Sequence, residues 1–112
     1  MDKIIAVDFD GTLCENAYPN IGVPKPIIIN HILEEQKLGA KLILWTYRCD
    51  ERLEEAVKWC AEHGIIFDAI NDNIPSIISR YGNNCRKIFA TEYIDDRALS
   101  VSRIEEYYKD WM

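Results

Sequence analysis

The sequence predicts an α/β protein, a three-layer α/β/α sandwich around a parallel sheet, and three observations carry that expectation. Short apolar runs recur at Lys3 to Asp8, Lys41 to Thr46, Ile65 to Ile70 and Lys87 to Ile94. The stretches between them carry apolar residues at helical spacing, so strand and helix alternate, a pattern that right-handed crossovers turn into a parallel sheet covered on both faces. No repeat, low-complexity tract or linker breaks the alternation, and 112 residues suit one compact domain, expected over 1–112.

Taken in order, the first run ends in carboxylates and reads as a strand buried on both faces. Gly11 to Pro24 is rich in Gly, Pro and Asn and reads as a loop or flap. A helix is expected over Pro26 to Lys37, with Pro in its first turn, Ile28, Ile32 and Leu33 on one face, and Gly39 beyond its end. His31 falls on its surface. The second strand, Lys41 to Thr46, is followed by Leu53, Ala56, Val57, Cys60 and Ala61 at helical spacing up to Gly64, with His63 in the last turn, where the negative helix end favours it. Ile65 to Ile70 gives the third strand. Asn73-Ile74-Pro75 opens a short helix that Gly82 stops, and Lys87 to Ile94 gives the fourth strand. Ser102 and Glu105 have capping-box spacing for a last helix, whose Ile104, Tyr107, Tyr108 and Trp111 are expected in the core.

Composition excludes several classes. Hydrophobic residues at 48% and charged residues at 29% exclude disorder. The formal net charge of −6 works against nucleic acid and anionic lipid, whose binding needs clustered Lys and Arg. No apolar stretch approaches the ~20 residues that span a bilayer, and the N-terminus lacks a signal-peptide pattern, so no membrane partner and a cytoplasmic location are expected. Cys14, Cys49, Cys60 and Cys85 form neither a CxxC pair nor a ligand spacing with His, so reduced thiols are the expectation.

The chemistry concentrates at strand ends. Asp8-Phe9-Asp10-Gly11-Thr12 closes the first strand, and Ile94-Asp95-Asp96-Arg97 closes the fourth. Two acidic pairs brought together repel unless a cation or bound protons offset them, and a hard cation such as Mg²⁺ suits carboxylate oxygens while leaving positions for phosphate. The candidate metal ligands are therefore Asp8, Asp10, Asp95 and Asp96. Thr46 offers a hydroxyl and an N–H to a phosphate, Arg48 a fork-like anion ligand, and Lys87 a point charge. Gly11 joins Thr46, Arg48 and Lys87 as a candidate substrate contact.

Asp8-x-Asp10-Gly11-Thr12, an apolar strand ending in Thr46, Lys87, and Asp95-Asp96 in this order resemble the four signature motifs of the haloacid dehalogenase superfamily, across nearly the entire chain. The resemblance implies a Rossmann-like sheet with its four strands in the order 3-2-1-4. It also implies a Mg²⁺-dependent phosphomonoester hydrolase acting through an aspartyl-phosphate. Its catalytic residues would be Asp8 as nucleophile, Asp10 as acid/base, and Thr46 and Lys87 holding the phosphoryl group. Resemblance to members with adjacent acidic residues favours Asp96 over Asp95 as the direct metal ligand. Lys87 lies only eight residues before Asp95, closer than in many members, and Lys58 is the sole other Lys between Thr46 and Asp95. Neither the segment after Asp10 nor that after Thr46 has room for a cap domain, so the resemblance is to a capless member. A small phosphorylated substrate is implied, met by the flap at Cys14 to Val23, Tyr18, Arg48 and the Asn71 to Asn73 loop, or by a second subunit in an oligomer.

Two alternatives use the same residues. One is a phosphatase acting on nucleic-acid ends, because an open site admits a strand terminus, although no basic stripe supports it. The other is a phospho-aspartate signalling or phosphate-binding module that does not turn over. Receivers of that kind place the phosphorylated Asp on a middle strand, whereas here it comes first.

Overall fold

The computed structural model describes residues 2–111. Its elements are β1 Ile4–Val7, β2 Cys14–Ala17, β3 Asn20–Pro24, α1 Pro26–Lys37, β4 Lys41–Leu44, α2 Asp50–Glu62, β5 Ala69–Ile70, α3 Pro75–Tyr81, β6 Glu92–Ile94 and α4 Val101–Tyr108. β1, β4, β5 and β6 form a four-stranded parallel sheet in the order β5-β4-β1-β6. This numbering differs from the expected 3-2-1-4 because the flap is not a plain loop. It folds into the antiparallel hairpin β2-β3, which adds two strands between β1 and α1.

The sheet is held by side chains that alternate between its faces, as strand geometry requires. Ile5 and Val7 of β1 and Leu42 and Leu44 of β4 pack with Ile29 and Ile32 of α1 and Ala56 and Cys60 of α2. Ile4, Ala6 and Ile43 point the other way, onto Ile74 and Ile77 beside α3 and onto Ile88. Helices thus cover both faces, and this is why β1 reads as an uninterrupted apolar run. Pro26 sits in the first turn of α1, and Gly64 follows α2 with a φ of 86°, a conformation open to glycine.

The later strands are shorter than expected. Ile65 to Asp68 lies outside β5, and there the Asp68 side chain reaches the sheet: its Oδ2 accepts from Leu42 N at 2.9 Å while Asp68 N donates to Leu42 O at 2.8 Å. β6 starts only at Glu92, because the buried Asn73 side chain captures the preceding loop. It donates to Asn84 Oδ1 and Cys85 O and accepts from Phe89 N at 2.6 Å. The last helix is capped by Ser100 rather than Ser102, with Ser100 Oγ accepting from Arg103 N at 3.2 Å. Its aromatics are not core: Tyr107, Tyr108 and Trp111 are exposed, and no residue of α4 is buried. No helix among the described residues is long and apolar enough to cross a membrane.

Candidate functional site

The carboxyl ends of β1 and β6 lie side by side, since Val7 pairs with Ile94 and Asp8 N donates to Ile94 O at 2.9 Å. That pairing carries Asp8 up to Asp95 and Asp96, and one carboxylate oxygen from each of the three lies within 4.8 Å of the others. Thr12 locks the arrangement, its hydroxyl donating to Asp8 Oδ2 at 3.0 Å and accepting from Asp96 N at 3.1 Å. Gly11 lets the turn pass, at a φ of 86°. A Cβ there would also collide with the Asp96 carboxylate.

Burial first, then the Asp95 charge and the Asp96 contact, together raise the Asp8 pKa from 3.8 to about 6 against the opposing Thr12 hydroxyl. Among the described residues no Lys or Arg forms an ion pair with these three carboxylates, although Arg97 and Lys25 line the clefts beside them. The cluster's donors are all carboxylate oxygens, the set that suits Mg²⁺.

Asp10 stands apart from this trio. Both its oxygens accept from Arg48, Oδ2 from Nε and Oδ1 from Nη2, each at 2.8 Å, an ion pair whose Arg48 side chain is almost fully buried. The expectation that Asp10 joins the carboxylate cluster is therefore corrected: the chain leaves the sheet after Asp8, and the turn through Gly11 directs Asp10 to the flap side. Arg48 in turn is occupied by Asp10, and that hydrogen bond raises its pKa.

Two adjoining clefts open over Asp8. One, of about 320 Å³, is lined by Asp8, Asp10, Tyr18, Thr46, Asp96 and Arg97 among others. The second, of about 510 Å³, is lined by Asp8, Trp45, Thr46, Tyr47, Asn71 and Asp95. Thr46 lies two residues past the end of β4; its N–H is taken by Asn71 Oδ1 at 2.8 Å and its hydroxyl oxygen accepts from Arg48 N at 3.2 Å, leaving the hydroxyl proton for a ligand. Gly11 lines a different and smaller cleft with Lys25, Asp95 and Asp96, so it serves close approach rather than substrate contact.

Lys87 is not brought to Asp8. It lines a third cleft, of about 390 Å³, with Asn73, Ile77, Tyr81, Phe89 and Tyr93. The reason is topological: it precedes β6 and so lies toward the amino end of that strand, whereas Asp95 and Asp96 follow the carboxyl end. The cationic side chains lining the Asp8 clefts are Arg48 and Arg97. Three further contributors stand within the expected motifs and loop, Thr12 in the first motif, Arg97 after the second acidic pair and Asn71 in the Asn71 to Asn73 loop. Asn71 follows a strand end, where its φ of 51° is one that Asn tolerates.

Fold and site together define a class: an α/β protein whose parallel sheet gathers three carboxylates and a threonine at its carboxyl edge, where open α/β sheets bind ligands. No family model matches the sequence, and no curated protein matches it. A solved structure of a conserved protein from Bacteroides thetaiotaomicron is similar throughout, with a TM-score of 0.76 and 35% sequence identity, covering 100% of this chain and 93% of that one. The chain belongs to the family of that conserved protein.

Proposed function

We propose that the protein is a capless phosphatase of the haloacid dehalogenase type, with a three-layer Rossmann-like core, hydrolysing small phosphomonoesters through an aspartyl-phosphate on Asp8. The observation that carries the reading is the convergence of Asp8, Asp95 and Asp96 within 4.8 Å in the cleft of about 320 Å³ shared with Thr46. Asp8, Asp95 and Asp96 would hold Mg²⁺, which when bound supplies charge neutralisation for the phosphoryl oxygens.

An oxygen of Asp8 attacks phosphorus, the bond from phosphorus to the leaving oxygen breaks, and Asp10 gives that oxygen a proton. Water then attacks the phosphorus of the acyl phosphate, Asp10 takes its proton, and the bond to Asp8 breaks to release phosphate. The Thr46 hydroxyl donates to the phosphoryl group, and Arg97, rather than Lys87, is the cation lining the cleft that offsets its charge. The same reading puts the protein in the cytoplasm, a reducing compartment in keeping with four cysteines that are all unpaired.

Phosphate release from an aryl phosphate tests the reading: turnover is expected with Mg²⁺, with loss to background in excess chelator. Undiminished turnover in chelator rules out the metal. No turnover under either condition, and no phosphoenzyme, rules out the phosphatase.

A further inference from the structure

The Arg48 side chain is only 3% exposed as a residue, yet it sits beside a candidate active site, and its bonding is complete. A guanidinium has five N–H donors. Nε and Nη2 hold the two oxygens of Asp10 at 2.8 Å. Nη2 also reaches Asn20 O at 3.0 Å, and Nη1 reaches Pro19 O at 3.4 Å and Arg52 O at 3.3 Å. All five are used, so none is left for a phosphate. The two carbonyls belong to Pro19 in the turn of the β2-β3 hairpin and to Asn20, which opens β3, and the guanidinium also lies over the Phe9 and Tyr18 rings, 5.0 and 5.1 Å from their centroids.

From this geometry we infer that Arg48 is a positioning residue that fastens the flap and Asp10 together as one unit, and so fixes where the substrate's leaving group meets its proton donor. The inference rests on the phosphatase reading for its chemical consequence. Asn16 and Tyr18 of the hairpin line the same cleft as Asp8 and Asp10, so the flap is the wall against which a leaving group lies. A planar fork is needed because one group must serve the Asp10 carboxylate and two flap carbonyls at once. Lysine, with three donors on one nitrogen, keeps the charge but cannot span them.

The test compares Arg48→Lys with the wild type in two measurements. In hydrogen exchange, the backbone amides between residues 16 and 21, Pro19 having none, are expected to exchange at least tenfold faster in the variant, a readout independent of catalysis. In kinetics, kcat for an alkyl phosphate, which needs its leaving oxygen protonated, is expected to fall at least tenfold further than kcat for an aryl phosphate with a good leaving group. Unchanged exchange at 16–21 overturns the tether. Equal losses on both substrates overturn the positioning of Asp10 and reduce Arg48 to a structural residue. A wild type that turns over neither substrate sinks the phosphatase reading instead, and the exchange measurement then decides the tether alone. If Arg48→Lys does not fold, Tyr18→Ala removes an exposed ring stacked on the guanidinium and none of its five bonds. Faster exchange at 16–21 with a raised KM is then expected, and no change in either overturns the inference.

Discussion

Asp8 and Asp10 leave the same strand two residues apart and enter opposite surroundings. On the Asp8 side of the cleft stand two more carboxylates, a buried threonine and no cation among the described hydrogen-bond and ion-pair partners. On the Asp10 side stands a buried arginine that grips both oxygens. Formal charge treats the two residues alike. The fold separates them, because the sheet pairing with β6 ends at Asp8 and the Gly11 turn carries Asp10 across to the hairpin. One side gathers carboxylates and the other pairs its carboxylate with a cation.

The largest effects should come from breaking that contrast at its two ends. On the proposed mechanism Asp8→Asn removes the nucleophile, so turnover should fall by several orders of magnitude, to background, with no phosphoenzyme formed. Asp10→Asn leaves the nucleophile and slows both proton transfers, each worth on the order of 100-fold. Rapid-quench labelling with an activated phosphoryl donor should therefore trap phosphate on Asp8 in the Asp10→Asn variant and none in the Asp8→Asn variant. Substantial turnover by purified Asp8→Asn protein would transfer the attack to a water molecule and end the covalent mechanism.

A smaller effect sharpens the Asp8 side. Thr12 is buried and bridges Asp8 to the Asp96 amide. Thr12→Val keeps the volume, removes the donor to Asp8 and leaves a backbone N–H without its acceptor, at a cost of about 1–3 kcal/mol. Activity should drop by about tenfold as Asp8 and Asp96 lose register, with Mg²⁺ affinity weakened in a titration. Thr12→Ser, which restores both bonds, should recover most of the loss. Failure of Ser to rescue would show that the methyl packing, not the hydroxyl bridge, is what matters.

How much of this was legible follows from how local each cause is. The continuous apolar run Ile4 to Val7 announces a strand covered on both faces, and the Pro26 and Gly64 boundaries announce α1 and α2, because each signal acts within a few residues of itself. Asp8, Thr46 and Asp95-Asp96 were legible because parallel strands deliver their carboxyl ends to one edge. Lys87 was misplaced because Ile88 to Ala90 read as strand, whereas the Asn73 side chain, 16 residues from Phe89, takes that backbone out of the ladder. The Arg48 role was illegible for the same reason. Its partner Asp10 lies 38 residues away, and nothing near Thr46-Tyr47-Arg48 tells a phosphate ligand from a saturated clamp. The aromatics of α4 show the limit of periodicity, since a helical stripe predicts an apolar face but not that anything covers it.

The smallest expected effect separates the two sides through stability alone and needs no substrate. Burial and the neighbouring Asp95 charge raise the Asp8 pKa from 3.8 to about 6. Between those values the folded protein holds a proton on Asp8 that the unfolded chain has released, so folding is favoured most at the acid end of the window and stability declines as pH rises through it. Above about 6 the ionised Asp8 remains a net burden on the metal-free protein. Asp8→Asn cannot ionise, so in chelator its Tm should match the wild type near pH 4 and exceed it at pH 7 by about 4–8 °C per kcal/mol relieved. Mg²⁺ supplies the missing positive charge only where the carboxylate is present, so adding it should raise the wild-type Tm and narrow the gap. Thermal melts of both proteins from pH 4 to 7, with and without Mg²⁺, read this directly. A gap that stays constant across the pH range would mean that the substitution acts through packing and that the charge imbalance on the Asp8 side is already relieved without a cation.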